Sequence, residues 1–258
     1  MSEHIGVRRE GPVLVIRFER PEKKNAITRA MYAAMASALE EADRDPSVRA
    51  VLFTAAGDVF TAGNDLGDFM GEPPASPDSP VLRFLRALSS SRRPIVAAVG
   101  GKAVGVGVTM LLHCDLVYAS ERAQLVAPFV DLGLVPEAAS SLLLPRLLGH
   151  QRAAELLLLG EPMSAAHAQA NGLVNALVPA AELDAHALSV ATRLAAKPPT
   201  SLALTKKLLK DPGAQSIPER IELEGQHFVA QLGSPEVREA ITAFFERRAP
   251  DFSKMQPS

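Results

Sequence analysis

The chain lacks most of what would tie it to several common partners and compartments. It holds one cysteine, Cys114, which excludes an internal disulfide framework and leaves no cysteine cluster for a metal. Set in an apolar run, that thiol reads as a small buried hydrophobe. Positive charge is in no excess: 27 Lys and Arg against 29 Asp and Glu give a formal net charge of -2, too little to neutralise nucleic-acid phosphates. No apolar run reaches membrane-spanning length, because Arg and Asp interrupt each candidate. The first ten residues are charged and lack the apolar core of a secretion signal, and Gln256-Pro257-Ser258 is not a peroxisomal address. The expectation is a cytoplasmic protein with neither a nucleic-acid nor a membrane partner. There is no internal repeat and no Gly-x-Ser-x-Gly elbow to present a serine nucleophile. His167, His186 and His227 are scattered without metal-ligand spacing, so no metal site is expected.

What is present is an ordinary globular composition, 47% hydrophobic and 22% charged over 258 residues, enough for one large domain or a main domain with an appendage. Residues 5–9 and 13–19 flank Glu10-Gly11-Pro12 and read as a β-hairpin. A polar loop, Arg20-Pro21-Glu22-Lys23-Lys24-Asn25, leads to a helix over 28–44, capped by Thr28, with Met31, Met35, Ala38, Leu39 and Ala42 on one face. Residues 48–54 and 94–99 are buried strands, separated by a surface loop over 71–80 and a short helix over 80–90. Short strands follow at 115–119, 124–127 and 173–177, with helices at 137–148, 155–159, 165–171 and 181–196. After Pro198-Pro199 the pattern is only helical, at 201–210, 218–232 and 235–248. Alternating strands and helices followed by helices alone predict an α/β core over 1–197 with a helical C-terminal region over 198–258.

The most informative stretch runs from Val99-Gly100-Gly101 to Gly105-Val106-Gly107, between an apolar strand and an apolar helix. Glycines at such density let backbone turn sharply or lie close to other backbone. A helix opening near Gly105 presents unpaired N–H groups, suited to developing negative charge. The same run also reads as a plain strand-to-helix turn inside an α/β domain. A second loop, Gly57 to Leu66, likewise follows a strand, and strand ends are where ligands sit in layered α/β folds. Two such loops can aim two main-chain N–H groups at one carbonyl oxygen, forming an oxyanion hole.

The order and spacing of Arg20-Pro21…Asn25-Ala26, Phe60-Thr61-Ala62-Gly63-Asn64-Asp65-Leu66, Ala98-Val99-Gly100-Gly101…Gly105-Val106-Gly107, Cys114-Asp115 and Leu132-Gly133-Leu134-Val135-Pro136 resemble the crotonase (enoyl-CoA hydratase/isomerase) superfamily over nearly the whole chain. The resemblance implies a ββα-spiral core, assembly as a homotrimer or dimer of trimers through the C-terminal region, and an acyl-CoA substrate with no separate cofactor. It implies that the N–H groups of Asn64 and Val106 hold the thioester oxygen. Many relatives have glycine at the position of Val106, whose φ must stay negative. The adenine of coenzyme A is expected near Ala26, Ala62, Asp65 and Leu66, with Lys23 and Lys24 toward its phosphates.

Hydratases of this superfamily use two glutamates, and Thr109 and Phe129 stand at those positions here. The acid present is Glu137, after Leu134-Val135-Pro136, as in Δ3,Δ2-enoyl-CoA isomerases of the peroxisomal type. A double-bond shift needs one group to take a proton from the α-carbon and return it at the γ-carbon, a task for one carboxylate. As a first-turn helix residue Glu137 would be favoured ionised by the helix dipole, while Leu134 and Phe129 would raise its pKa. Asp131 is the second candidate acid, with a surface or capping role the preferred reading for it; His113 is expected as a satisfied core histidine and Asp115 as a backbone-bonding strand start. Phe228, Phe244 and Phe245, with Met110 or Leu111, are expected in the core, in an acyl tunnel or at a subunit contact. Hydration, another thioester reaction, and acyl-CoA binding without turnover remain the rival readings.

Overall fold

The computed structural model describes residues 2–71, 78–211 and 217–255. The chain opens with an antiparallel hairpin, β1 (Ile5–Glu10) and β2 (Val13–Phe18), turning at Gly11 with φ 58°. A short 3-10 turn (Pro21–Lys23) leads to α1 (Arg29–Arg44), whose Thr28 cap accepts from the Met31 N–H at 3.3 Å. Then come β3 (Ala50–Ala55), β4 (Val59–Thr61), α2 (Leu66–Gly71), α3 (Pro80–Ser90), β5 (Ile95–Val99) and β6 (Lys102–Val104). The glycine-rich turn opens α4 (Val106–Thr109), continued by a 3-10 turn (Met110–His113), β7 (Leu116–Ala119) and β8 (Gln124–Val126). The remainder is α5 (Ser140–Leu148), α6 (His150–Leu158), β9 (Met163–Ser164), α7 (Ala165–Ala170), β10 (Ala176–Leu177), α8 (Leu183–Ala195), α9 (Pro199–Lys210), α10 (Ile217–Leu232) and α11 (Pro235–Phe245).

The strands form two sheets. One is ordered β1-β2-β3-β5-β7-β10, parallel from β2 onward, and the other β4-β6-β8-β9. Each winding of the chain gives one strand to each sheet: β3 then β4, β5 then β6, β7 then β8. The β3 and β5 strands are buried on both faces, which is why they read as unbroken apolar runs without alternation. One face of the larger sheet carries α8, with Val13, Val15, Leu52, Val96, Ala187 and Ala191 between them. The other core holds α1, α3 and an aromatic cluster in which Phe18 meets Phe60 edge-on at 5.3 Å and Tyr32 tilts against Phe84 at 5.5 Å.

Glycine decides how closely consecutive windings stack. A Cβ on Gly101 would overlap the Asp58 carbonyl, and one on Gly107 would come within 2.5 Å of the Thr61 methyl. The ends of β4 and β6 are therefore pressed together, with Thr61 paired to Ala103. At the far end of the chain, the buried Arg49 guanidinium donates to the carbonyls of Lys197 at 2.9 Å and of Phe252 and Met255 at 3.1 Å each.

The helix expected over 137–148 begins only at Ser140, because Ala138 and Ala139 both take left-handed conformations (φ 53° and 56°). The helix expected over 155–159 starts five residues earlier, at His150, directly after Gly149. The strand expected over 173–177 is reduced to Ala176 and Leu177, and the last helix stops at Phe245. Of the loop expected over 71–80, residues 72–77 lie outside the described residues. The core placement expected for Phe228, Phe244 and Phe245 fails: they are 68%, 78% and 78% exposed, whereas Met110 and Leu111 are buried. Among the described residues no helix is long and apolar enough to cross a membrane.

Candidate active site

The loop between β4 and α2 is fixed by a network that begins at Asn25. This fully buried residue takes φ 54°, a conformation that asparagine tolerates. Its side chain donates to the carbonyls of Ala56 and Val59 at 2.8 Å and accepts from the Arg20 N–H at 2.9 Å. Arg20 in turn bonds the Ala26 carbonyl and pairs with Asp65 at 2.7 Å. That guanidinium, with the N–H groups of Asp68 and Gly67, holds the Asp65 carboxyl below the usual carboxylate range. Ala62 donates to the Lys24 carbonyl at 2.9 Å, so Lys24, Ala26, Ala62 and Asp65 lie along one stitched pair of loops. Leu66 opens α2 at its edge, 56% exposed.

Asn64 sits in a parallel bridge to Ile27. The bonds of that bridge run from the Ile27 N–H to the Gly63 carbonyl and from the Asp65 N–H to the Ile27 carbonyl. The main-chain N–H of Asn64 takes part in neither and faces away from Ile27. Gly63, at φ 84°, makes this possible: its carbon lies against the Val104 carbonyl, where a Cβ would come within 2.9 Å. The Asn64 loop thus abuts the strand that leads into the glycine-rich turn. There the positive φ falls on Gly105 (56°), which caps α4, and Val106 is the first helical residue, with no positive φ. Its N–H belongs to the first turn, which no intrahelical carbonyl can satisfy.

Thr109 closes that helix and is fully buried; its hydroxyl lies 3.5 Å from the Val106 carbonyl and bonds Glu137 Oε1. Thr109, one helical turn along from Val106, thus links Glu137 to the helix that Val106 opens. The other oxygen, Oε2, is the single buried side-chain polar atom without a partner among the described residues. Burial pushes the Glu137 carboxyl above the usual glutamate range, and the Thr109 hydroxyl partly offsets this. The late start of α5 removes the helix-dipole effect expected at Glu137, which leaves burial as the larger cause. The main chain around it is clamped: Ser140 Oγ donates to the Glu137 carbonyl at 2.6 Å, and His113 Nε2 meets the Ala138 carbonyl at 2.9 Å.

The remaining candidates fall nearby or apart. Phe129 is buried in the core, and its carbonyl accepts from the Leu134 N–H at 2.7 Å. Asp131 is exposed, and its carboxyl lies over Gly160 rather than beside Thr109. Asp115 accepts from the Ile95 N–H at 2.7 Å, as expected of a strand start, and also pairs with the buried Lys206 at 2.8 Å. Cys114 is unpaired by disulfide, and burial pushes its thiol up to about 12. The sequence reading missed Tyr32, which is 1% exposed and bonds Asn64 Oδ1 at 2.5 Å. Its only sequence signal was a phenol in an apolar helix stripe, and a buried hydroxyl needs a partner.

Two sheets wound from ββα units, with a buried carboxylate after the winding formed by β7 and β8, make this the crotonase fold. Residues 8–255 match the family model for enoyl-CoA hydratase/isomerase, and the chain belongs to that family, whose members are enzymes acting on acyl-CoA substrates. It is 38% identical over 253 residues to enoyl-CoA delta isomerase 2 of Rattus norvegicus, covering 96% of this chain and 64% of that protein, so it spans just under two thirds of that relative's length. It is 34% identical to 1,2-epoxyphenylacetyl-CoA isomerase of Escherichia coli K12, covering 98% of this chain and 99% of the relative. Among solved structures, the enoyl-CoA hydratase/isomerase of Pseudoalteromonas atlantica T6c is 46% identical with a TM-score of 0.79, covering 97% of this chain and all of that one.

Proposed function

We propose that this protein is an enoyl-CoA isomerase that converts a 3-enoyl-CoA to the 2-trans-enoyl-CoA, with Glu137 as the single proton carrier. The observation that carries the reading is the division of labour on its carboxylate: Oε1 is held by Thr109, while Oε2 is buried and unpartnered. Oε2 takes a proton from the α-carbon, and the electrons left behind spread over a dienolate ending on the thioester oxygen. The N–H groups of Asn64 and Val106 hold that oxygen, and donors fixed before the reaction need no reorganisation as charge develops. The protonated Glu137 then delivers the same proton to the γ-carbon, so the double bond moves and the carboxylate is restored. A raised pKa suits a group that must both accept and return a proton near neutral pH.

Hydration needs a carboxylate to activate water, and the two positions where hydratases carry glutamates are Thr109 and Phe129, both buried and neither ionisable. Coenzyme A itself would lie along Lys24, Ala26, Ala62, Asp65 and Leu66, with Lys23 and Lys24 exposed toward its phosphates. The exposed Phe228, Phe244 and Phe245 support reading 198–258 as the region that builds a homotrimer or a dimer of trimers. The test is to supply a 3-enoyl-CoA in deuterated water and identify the product. Conjugated 2-enoyl-CoA supports isomerisation. A 3-hydroxyacyl product from a 2-enoyl substrate would replace the reading with hydration, and binding without α-carbon exchange would replace it with a non-catalytic acyl-CoA binder.

A further inference from the structure

The mechanism above uses only the main chain of Asn64, yet its side chain is held by a bond that spans the core. Tyr32 lies on α1, packed against Phe84 and 1% exposed, and its hydroxyl donates to Asn64 Oδ1 at 2.5 Å. Burial first, and the nearby charge of Glu137 second, push the phenol well above its ordinary pKa, so it stays a neutral donor. With Oδ1 turned to Tyr32, the Asn64 amide nitrogen faces the other way, is not buried, and takes no partner among the described residues. Among the described residues the Asn64 side chain has no other anchor. Its neighbours have ties of their own: Gly63 and Asp65 bond Ile27 through main chain, the Gly63 N–H also donates to the Thr61 hydroxyl, and the Asp65 carboxylate pairs with Arg20. The main-chain bridge to Ile27 places Asn64, and its side chain is held, among the described residues, by a single phenol.

We infer that Tyr32 is a positioning residue: its hydroxyl fixes Asn64, and through Asn64 the direction of the oxyanion-hole N–H. This deepens the isomerase reading and rests on it. A brace that acts on the donor shows itself in the transition state more than in substrate binding. Losing an oxyanion donor outright costs about 100- to 1000-fold in kcat, and loosening one costs less. Tyr32→Phe is expected to lower kcat about ten-fold with KM changed by less than about two-fold. Asn64→Ala removes the same bond from its other end, so Tyr32→Phe added to Asn64→Ala should lower kcat no further.

A second measurement does not depend on the phenylalanine variant folding. The chain has no Trp and two Tyr, so in a Tyr118→Phe background the tyrosine ultraviolet difference spectrum and emission report Tyr32 alone. Asn64→Ala is expected to shift them. Additive losses in the double variant, a loss confined to KM, or a Tyr32 spectrum indifferent to Asn64→Ala would each overturn the inference. If the wild type turns over 3-enoyl-CoA and the cycle is additive, this inference alone falls. If the wild type shows no turnover, the isomerase reading falls and takes this one with it.

Discussion

Replacing Glu137 by Gln separates what the carboxylate does for the reaction from what it costs the fold. The amide keeps the shape and still accepts from the Thr109 hydroxyl, but it can neither take the α-proton nor return it. General acid–base catalysis supplies roughly 100- to 10,000-fold. Here one group serves both proton transfers, so the upper figure applies, about four powers of ten or ~5.5 kcal/mol of barrier. Stability should move the other way. Oε2 is a buried acceptor with no partner, a situation worth about 1–3 kcal/mol against the fold and more when the group is charged. Removing the charge while keeping the volume is expected to raise the unfolding free energy by about 1 kcal/mol above the titration range. The pH dependence fixes the sign. Folding raises this carboxyl from its usual 4.5, so the proton is held more tightly in the native state. That contribution is present in full below 4.5 and is lost as pH rises through the raised value. The advantage of Glu137→Gln should therefore be absent in acid and complete above the raised pKa. The assays are conversion of 3-enoyl-CoA to its conjugated isomer and urea unfolding at several pH values. Turnover within ten-fold of wild type, or a variant less stable than wild type at neutral pH, would refute the reasoning.

Other expectations follow from the same geometry. Thr109→Val removes the hydroxyl that lowers the Glu137 pKa, so the acid limb of kcat/KM should move to higher pH; an unmoved limb contradicts the assignment. Gly101→Ala drives a Cβ into the Asp58 carbonyl and should destabilise by more than about 3 kcal/mol, seen as lost soluble protein or an early urea midpoint. Asp115→Ala strips the buried Lys206 of its ion partner and the Ile95 N–H of its acceptor; a loss of about 3 kcal/mol or more is expected, again by urea unfolding.

Much of this was legible because the signals were local. The apolar runs of β3 and β5 need no tertiary information, and neither do the Thr28 cap or the glycines around Val106. The second sheet was not legible as a unit, since β4, β6 and β9 have two or three residues each and carry no periodicity. The start of α5 was misread because nothing in Glu137-Ala138-Ala139 signals a left-handed pair. Alanine favours helix, and the clamps that override it come from His113 and Ser140. Tyr32 was passed over for the opposite reason: its helix was read correctly, and the apolar stripe around it concealed a polar end.

Arg49 joins regions that the sequence keeps about two hundred positions apart, for its guanidinium reaches the carbonyls of Phe252 and Met255 from the first strands of the larger sheet. That grip ties the described residues beyond α11 to the sheet, while the Asp251 N–H and the Arg248 guanidinium hold them to Glu239 on α11. A chain shortened before Phe252 would leave an indoor cation holding only the Lys197 carbonyl, and the damage would surface at β3, where no residue had been touched.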